Sequence, residues 1–172
     1  MKEVKTINFK SPKRETPFAP EWDYLICEKM INDINIKNLK SFLLKNYIIK
    51  LHNYFLKIRG FKKPKHLFAN CWFNCMEKGE HIKMHLHGTS PKIYLGGHFV
   101  VACNNTSTFY VNPVNQINNP VVYESKNKIG LLTMFENTIP HYTNTHNEKE
   151  KRITIAFDLR MHNNHNNLVK LY

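Results

Sequence analysis

Residues 151–159 read Lys-Arg-Ile-Thr-Ile-Ala-Phe-Asp-Leu and alternate polar with apolar side chains over their first half. In an extended strand successive side chains point to opposite faces, so Arg152 and Thr154 share one face while Ile153 and Ile155 share the other. The apolar pair suits a hydrophobic core, and the polar pair can point into the interior of a barrel. This stretch therefore predicts a β-strand whose polar face is a candidate for function.

Seven further short runs with strand character precede this one, and clusters of Gly, Pro and Asn separate them. They are Leu67–Met76, His81–His87, Gly97–Cys103, Ser107–Val111, Val121–Glu124, Gly130–Phe135 and Ile139–Tyr142. Eight short strands with this punctuation predict a mostly β protein with the architecture of a double-stranded β-helix, or jelly roll.

One long N-terminal helix is predicted over about residues 36–58 to support the sheets. Apolar residues recur there at helical spacing, for example at Leu39, Leu43, Tyr47 and Leu51, and lysines lie between them. Packed outside one sheet, such a helix would bury its apolar stripe.

The chain has 172 residues, a length that fits one domain with a hydrophobic core of its own. Residues 1–20 are polar and proline-bearing, so we expect an extended arm there. The domain itself is expected to span residues 21–160. Residues 161–172, rich in Asn and His at their start, are expected to form a polar tail.

The net charge of +12 and the pI near 9.6 would suit an anionic partner, either a nucleic acid or a metabolite that carries carboxylates. Lys, Asn and Ile are all abundant, however, and a diffuse positive surface needs no such partner to explain it. A basic module that binds nucleic acid is therefore kept as an alternative only.

The four cysteines indicate a reducing compartment rather than a disulfide framework. No apolar leader follows Met1, and no apolar run has the length of a membrane span. Cys71 and Cys75 lack a second pair at zinc-ligand spacing. These features predict free thiols, a cytoplasmic location and no membrane association.

His85 and His87 are spaced to share one face of an extended segment, and His141 follows on another predicted strand. Three imidazoles from two segments can occupy one face of an octahedral metal ion and leave the opposite face for substrate. With ten histidines in the chain, a lone His-x-His pair would be expected by chance. The full succession of His-x-His, His141 and Arg152-x-Thr154 is more specific than the histidine pair alone. Its arginine adds a candidate carboxylate-binding group, because a guanidinium fork matches a carboxylate bidentately.

This order resembles the iron(II)- and 2-oxoglutarate-dependent oxygenases, in particular the small oxygenases of marine phages and bacteria. The resemblance covers about residues 70–158. The matching segments are Cys71–Asn74, Lys78-Gly79, His85–His87, Gly96–Val100, Gly130–Phe135, Ile139–His141 and Arg152–Phe157.

The resemblance implies that His85 and His141 bind Fe(II) and that Arg152 pairs with the distal carboxylate of 2-oxoglutarate. Thr154 takes the place of the more usual serine as a hydroxyl donor, and Asn74 is a candidate cosubstrate contact. No catalytic side chain is expected outside the metal centre. The implied reaction consumes O2 and hydroxylates a peptidyl group, such as a prolyl residue, or an amino acid or other small molecule. A homodimer is left open.

The departure from the family pattern is at His87, where the wider superfamily places Asp or Glu. Either His87 completes a three-histidine site, or Glu124 or Glu136 supplies the third ligand, or water does. We favour His87, because its spacing from His85 already suits a shared face. A three-histidine dioxygenase of the cupin type, which needs no 2-oxoglutarate, remains an alternative.

Overall fold

The computed structural model describes residues 5–8, 25–30, 41–87, 93–113, 121–163 and 168–172. Its elements are one helix and ten strands within these ranges. They are β1 (Lys5–Asn8), β2 (Leu25–Met30), α1 (Ser41–Arg59), β3 (Phe68–Met76), β4 (Ile93–Ala102), β5 (Ser107–Val111), β6 (Val122–Lys126), β7 (Leu131–Glu136), β8 (His141–Thr143), β9 (Arg152–Arg160) and β10 (Val169–Lys170).

The strands form two sheets, as a jelly roll requires. The large sheet has the order β1-β2-β7-β4-β9-β3-β10, and the small sheet has the order β6-β5-β8. Neighbouring strands are antiparallel except at the edge, where β1 and β2 run parallel. The predicted fold class, mostly β with a supporting helix, is confirmed.

Helix α1 packs against the outer face of the large sheet and builds the main core there. It ends at Arg59, and Gly60 follows with a φ of 66°, a conformation that commonly stops a helix. The predicted start near residue 36 lies outside the described residues. The buried side chains of this core are Leu44, Ile48, Leu51, Phe55, Leu56, Leu67, Ala69, Leu95, Phe99, Leu132, Met134, Phe157, Leu159 and Leu171.

Strand β9 separates this core from the space between the sheets. Ile155 and Phe157 pack toward α1, as their alternation with polar residues predicts. Arg152 and Thr154 line a cavity on the opposite face, together with residues of the small sheet. A second, smaller core of Ile26, Tyr110, Phe135 and Ile139 joins the sheets beside that cavity.

The predicted strand over His81–His87 is wrong. This segment runs beside the three-residue β8 and forms a single bridge, His85 with His141, so it finds no continuous ladder partner. Its apolar residues do not reach a core either, since Met84 is 58% exposed and Leu86 is 44% exposed.

The two ends of the described chain differ from the expected arm and tail. Residues 5–8 form β1, and the remainder of the arm lies outside the described residues. The polar-tail prediction is wrong at its end: β10 pairs with β3, and Leu171 is only 6% exposed. Its apolar side chain joins the main core while its amide donates to the carbonyl of Leu67 at 2.8 Å.

The state of the cysteines and the presence of a membrane-spanning helix can be examined within the described residues. Cys71, Cys75 and Cys103 are free thiols, as expected. In the ranges given above, no helix combines the length and the apolarity needed to cross a bilayer.

Candidate metal and cosubstrate site

His85, His87 and His141 converge at one end of the cavity. Their ring centroids are 4.3 Å apart for His85 and His141, 5.0 Å for His87 and His141, and 5.4 Å for His85 and His87. One ring nitrogen from each lies within 4.8 Å of the others. The backbone fixes one of these pairs, because His85 and His141 exchange amide-to-carbonyl hydrogen bonds of 3.0 and 2.9 Å.

Each of the three rings uses Nδ1 in a hydrogen bond to an oxygen. His85 donates to the carbonyl of Lys83 at 2.8 Å, and His141 donates to the carbonyl of Ile139 at 3.0 Å. His87 contacts Oδ1 of Asp158 at 2.5 Å. Because a carbonyl can only accept, the proton sits on Nδ1 and Nε2 keeps its lone pair for a metal. This pattern is how metal-binding histidines are usually oriented, so the three residues fit a divalent ion.

The site is open on one side and closed on the other. His85 is exposed, the side chain of His87 is only 8% exposed, and His141 is buried with 7% exposure. Burial lowers the pKa of His141 from 6.5 to about 3, so its imidazole is neutral at physiological pH, as a ligand must be. The opening of the site therefore lies on the side of His85.

Neither glutamate that could have replaced His87 belongs to the cluster. Glu124 accepts a hydrogen bond from Ser107 at 2.6 Å, and Glu136 forms an ion pair with Arg59. Among the described residues, the acidic group beside the three rings is that of Asp158, which contacts Nδ1 of His87 and is not itself a member of the cluster.

Asp158 is a site residue that the sequence prediction misses. It lies 71 positions after His87, and a contact at that separation leaves no local pattern. The sequence signal for Asp158 is the alternation of side chains along β9. Arg152, Thr154 and Ala156 all line the cavity, and Asp158 is the next residue on the same face of the strand.

The cavity has a volume of about 130 Å3, and Arg152 and Thr154 line it along with the histidines. Its remaining walls are Trp72, Asn74, Ile82, Gly97, His98, Thr108, Phe135, Tyr142, Thr143 and Ala156. The predicted cosubstrate residues Arg152, Thr154 and Asn74 are thus in one cavity with the predicted metal ligands. In the ladder between β3 and β9, Asn74 lies directly opposite Thr154.

Among the described residues, Arg152 is the largest side chain that is fully buried, with 2% exposure. Its Nη1 donates to the thioether of Met76 at 3.4 Å, a weak acceptor, and its Nε has no partner among the described residues. No carboxylate forms an ion pair with it within those residues. Burial lowers the pKa of this guanidinium, but arginine stays charged at neutral pH. A buried cation without a counter-ion is costly, so the cavity is suited to an anion.

Further polar groups near the guanidinium lack normal partners. Nε2 of His98 is buried and makes no hydrogen bond within the described residues. The hydroxyls of Tyr110 and Thr133 lie near each other, yet neither makes a hydrogen bond of normal geometry there. Burial lowers the pKa of His98 and raises that of Tyr110, so both are neutral. These residues carry unused hydrogen-bonding capacity for a polar ligand.

A family model described as "Putative 2OG-Fe(II) oxygenase" matches residues 70–158, just over half of the chain. The search of curated proteins found no match.

Several solved structures share the fold. An oxidoreductase of the 2OG-Fe(II) oxygenase family from Burkholderia pseudomallei has a TM-score of 0.56 at 18% identity, over 89% of this chain and 76% of the other. A prolyl-4-hydroxylase from Pseudomonas putida has a TM-score of 0.53 at 12% identity, over 74% and 70%. HygX from Streptomyces hygroscopicus, solved with nickel and 2-oxoglutarate, has a TM-score of 0.51 at 11% identity, over 80% and 81%.

Proposed function

Because this chain belongs to the 2OG-Fe(II) oxygenase family, we propose that His85, His87 and His141 hold the iron and that Arg152 and Thr154 hold 2-oxoglutarate. The protein is an Fe(II)- and 2-oxoglutarate-dependent dioxygenase, and O2 is its other cosubstrate. The observation that best supports the ligand assignment is that the three rings converge and that Nδ1 of each is hydrogen-bonded to an oxygen atom, which leaves Nε2 for the metal. Neither alternative, the cupin-type enzyme or the nucleic-acid module, is favoured by the family match.

When bound, Fe(II) and 2-oxoglutarate supply the activation of O2, with oxidation of the substrate coupled to decarboxylation of 2-oxoglutarate to succinate. The residues of the chain position and shield these groups. The guanidinium of Arg152 provides two parallel N–H donors that match the distal carboxylate of 2-oxoglutarate. Because the guanidinium is buried, its electrostatic attraction to that carboxylate is stronger than it would be in water. Thr154 supplies a hydroxyl donor on the same face of β9.

In the same proposal, Asn74, His98 and Tyr110 contact the cosubstrate from neighbouring strands. Two observations support these contacts. Asn74 and His98 line the cavity, and Nε2 of His98 and the hydroxyl of Tyr110 are buried without hydrogen-bond partners among the described residues. The ring of Phe135, 4.5 Å from His141 between centroids, excludes water from the inner side of the metal site.

The substrate is proposed to be a peptidyl group, for example a prolyl residue, or an amino acid. Met84 and Leu86, the chain neighbours of the exposed His85, are themselves exposed and support this proposal. Exposed apolar side chains in the segment that carries two of the histidines suit contact with a peptide or amino-acid side chain. A cytoplasmic location is part of this proposal, since the described cysteines are free thiols.

The test is an anaerobic titration of Fe(II)-loaded protein with 2-oxoglutarate. We expect a visible charge-transfer band that saturates at one equivalent, and succinate after O2 is admitted. Omission of Fe(II), 2-oxoglutarate or O2, one at a time, should abolish succinate. Bound iron without either the band or succinate would overturn the assignment in favour of an enzyme that does not use 2-oxoglutarate. A substrate screen would then incubate the loaded enzyme with proline-containing peptides and free amino acids and seek one added oxygen atom by mass spectrometry.

A further inference from the structure

The contact between His87 and Asp158 distinguishes one of the three rings from the other two. The distance from Nδ1 to Oδ1 is 2.5 Å, and the side chains are 8% and 10% exposed. The other two rings donate to neutral backbone carbonyls. His87 alone is therefore bonded to a carboxylate, and it is also the ring that stands where the wider superfamily places a carboxylate ligand.

The balance of charge at the site suggests what the contact between His87 and Asp158 contributes. Three neutral imidazoles offer a divalent ion no charge compensation, and Arg152 adds a further buried positive charge. A dianionic cosubstrate offsets only part of this total. The carboxylate of Asp158 supplies the remaining negative charge and is held in a largely desolvated place, where an electrostatic interaction is stronger than in water.

The position of His87 is constrained from a second side. A Cβ on Gly96 would lie 2.8 Å from Nδ1 and 3.2 Å from Cε1 of His87, so the ring packs directly against the backbone of β4. With Asp158 on its Nδ1 and Gly96 against its edge, the ring is fixed with Nε2 toward the other two histidines.

We propose that Asp158, acting through His87, supplies the negative charge that a directly coordinated carboxylate supplies elsewhere in the superfamily. Asp158 is a positioning residue: it orients the imidazole and increases its basicity as a ligand. The inference rests on the proposed ligand set. In this chain the carboxylate would not bind the metal directly but would contact the imidazole of His87, which does.

The test is Co(II) binding by the metal-free protein, with no 2-oxoglutarate and no O2 present, followed by the visible spectrum of the bound ion. The substitution Asp158→Asn keeps the size of the side chain and removes its charge. We expect Co(II) affinity to fall about 10- to 100-fold, the usual effect of losing such a partner. Asp158→Glu should retain more of the affinity. Glu124→Gln, which removes a carboxylate outside the cavity, should retain all of it.

A double-mutant cycle separates this role from a general structural one. His87→Asp places the carboxylate directly at the metal, so adding Asp158→Asn to that variant should change Co(II) affinity by less than about twofold, because Asp158 no longer has a ring to act through. Thermal unfolding of each metal-free variant reports whether it folds.

The outcomes distinguish this inference from the proposed function. If the unsubstituted protein fails to bind Co(II), the ligand set itself is wrong. If it binds Co(II) and the folded Asp158→Asn variant binds equally well, the ligand set stands and the inference is overturned. Equal losses in both backgrounds of the cycle would also overturn it, because Asp158 would then act independently of His87.

Discussion

Gly96 and His87 lie so close that no larger residue fits at position 96. A Cβ there would be 2.8 Å from Nδ1 of His87 and 3.0 Å from Cε2 of Phe135. We expect Gly96→Ala to displace the imidazole from Asp158 and to lower Co(II) affinity by about tenfold or more, because a metal ligand must be held within a few tenths of an ångström. The measurement is a calorimetric titration of the metal-free variant.

The matched control for this substitution is Gly60→Ala. A Cβ on Gly60 meets nothing within 4 Å, although its φ of +66° makes the change mildly destabilising. The control should lower stability without altering metal affinity. Unchanged Co(II) binding by Gly96→Ala would show that the ring of His87 has room to move.

Arg152 is a buried guanidinium whose partner within the described chain is a thioether. Substitution by Met removes the charge and keeps most of the volume. We expect 2-oxoglutarate affinity of the metal-loaded protein to fall on the order of 100-fold, as for other buried charge pairs. The free energy of unfolding without cosubstrate should stay constant or rise by about 1–3 kcal/mol, since an uncompensated charge is gone.

Two measurements check this prediction: a titration with 2-oxoglutarate and denaturation by urea. Arg152→Lys is the graded control, because it keeps the charge without the bidentate fork and should bind cosubstrate with intermediate affinity. A large loss of stability in Arg152→Met would instead indicate a structural role for the guanidinium.

The hydroxyl of Tyr110 is buried, and it lacks a hydrogen bond of normal geometry in the described chain. If it donates to 2-oxoglutarate, Tyr110→Phe should weaken cosubstrate binding about five- to tenfold, the value of one net hydrogen bond. Co(II) affinity should not change. Tyr123→Phe is the control, since Tyr123 instead donates to Glu28 at 3.4 Å. Equal cosubstrate affinity in the Tyr110 variant would remove this residue from the site.

His52 connects α1 to the sheet and the C-terminal segment, and we expect it to make the stability of the metal-free protein depend on pH. It contacts the hydroxyls of Tyr94 and Tyr172 and has no exposed surface. Burial, followed by the charge of Lys63, lowers its pKa from 6.5 to about 4. A depressed pKa means that its contribution is complete above pH 6.5 and is lost as pH falls toward 4.

The variant His52→Gln keeps hydrogen-bonding capacity and cannot titrate. Between pH 6.5 and 4, the unfolding free energy of the unsubstituted protein should therefore fall more steeply than that of the variant, by up to about 3 kcal/mol. Urea denaturation of metal-free samples across this range measures the difference. The exposed residue His81 provides the control, and His81→Gln should keep the original slope. Parallel pH profiles for His52→Gln and the unsubstituted protein would contradict the prediction.

The sequence predicts most of the sheet structure because its signals are local. Alternation along β9 and the turn residues between strands identify seven of the eight proposed runs near their true positions. The failure at His81–His87 has a physical cause: alternation shows that a segment is extended, whereas a strand also needs a partner of matching length. β10 was missed because two residues carry too little pattern, and its pairing with β3 depends on the burial of Leu171.

The candidate site could be predicted as far as residue types and spacing reach. His85, His87 and Arg152 have informative neighbours two positions away, and they do converge in one cavity. His98 has no such signal, and Asp158 has only its place on the same face of β9 as Arg152 and Thr154. Each matters through a partner on another strand or through a missing partner, and both properties exist only after folding.

The bridge between His85 and His141 has a practical consequence for work on this enzyme. We expect its two backbone hydrogen bonds to hold these two proposed ligands at a fixed spacing with or without an ion. Exchange of iron for the redox-inert ion Zn(II) should then need no refolding step. Crystals grown without metal could be soaked with this ion, and stalled complexes with candidate substrates could be trapped in air.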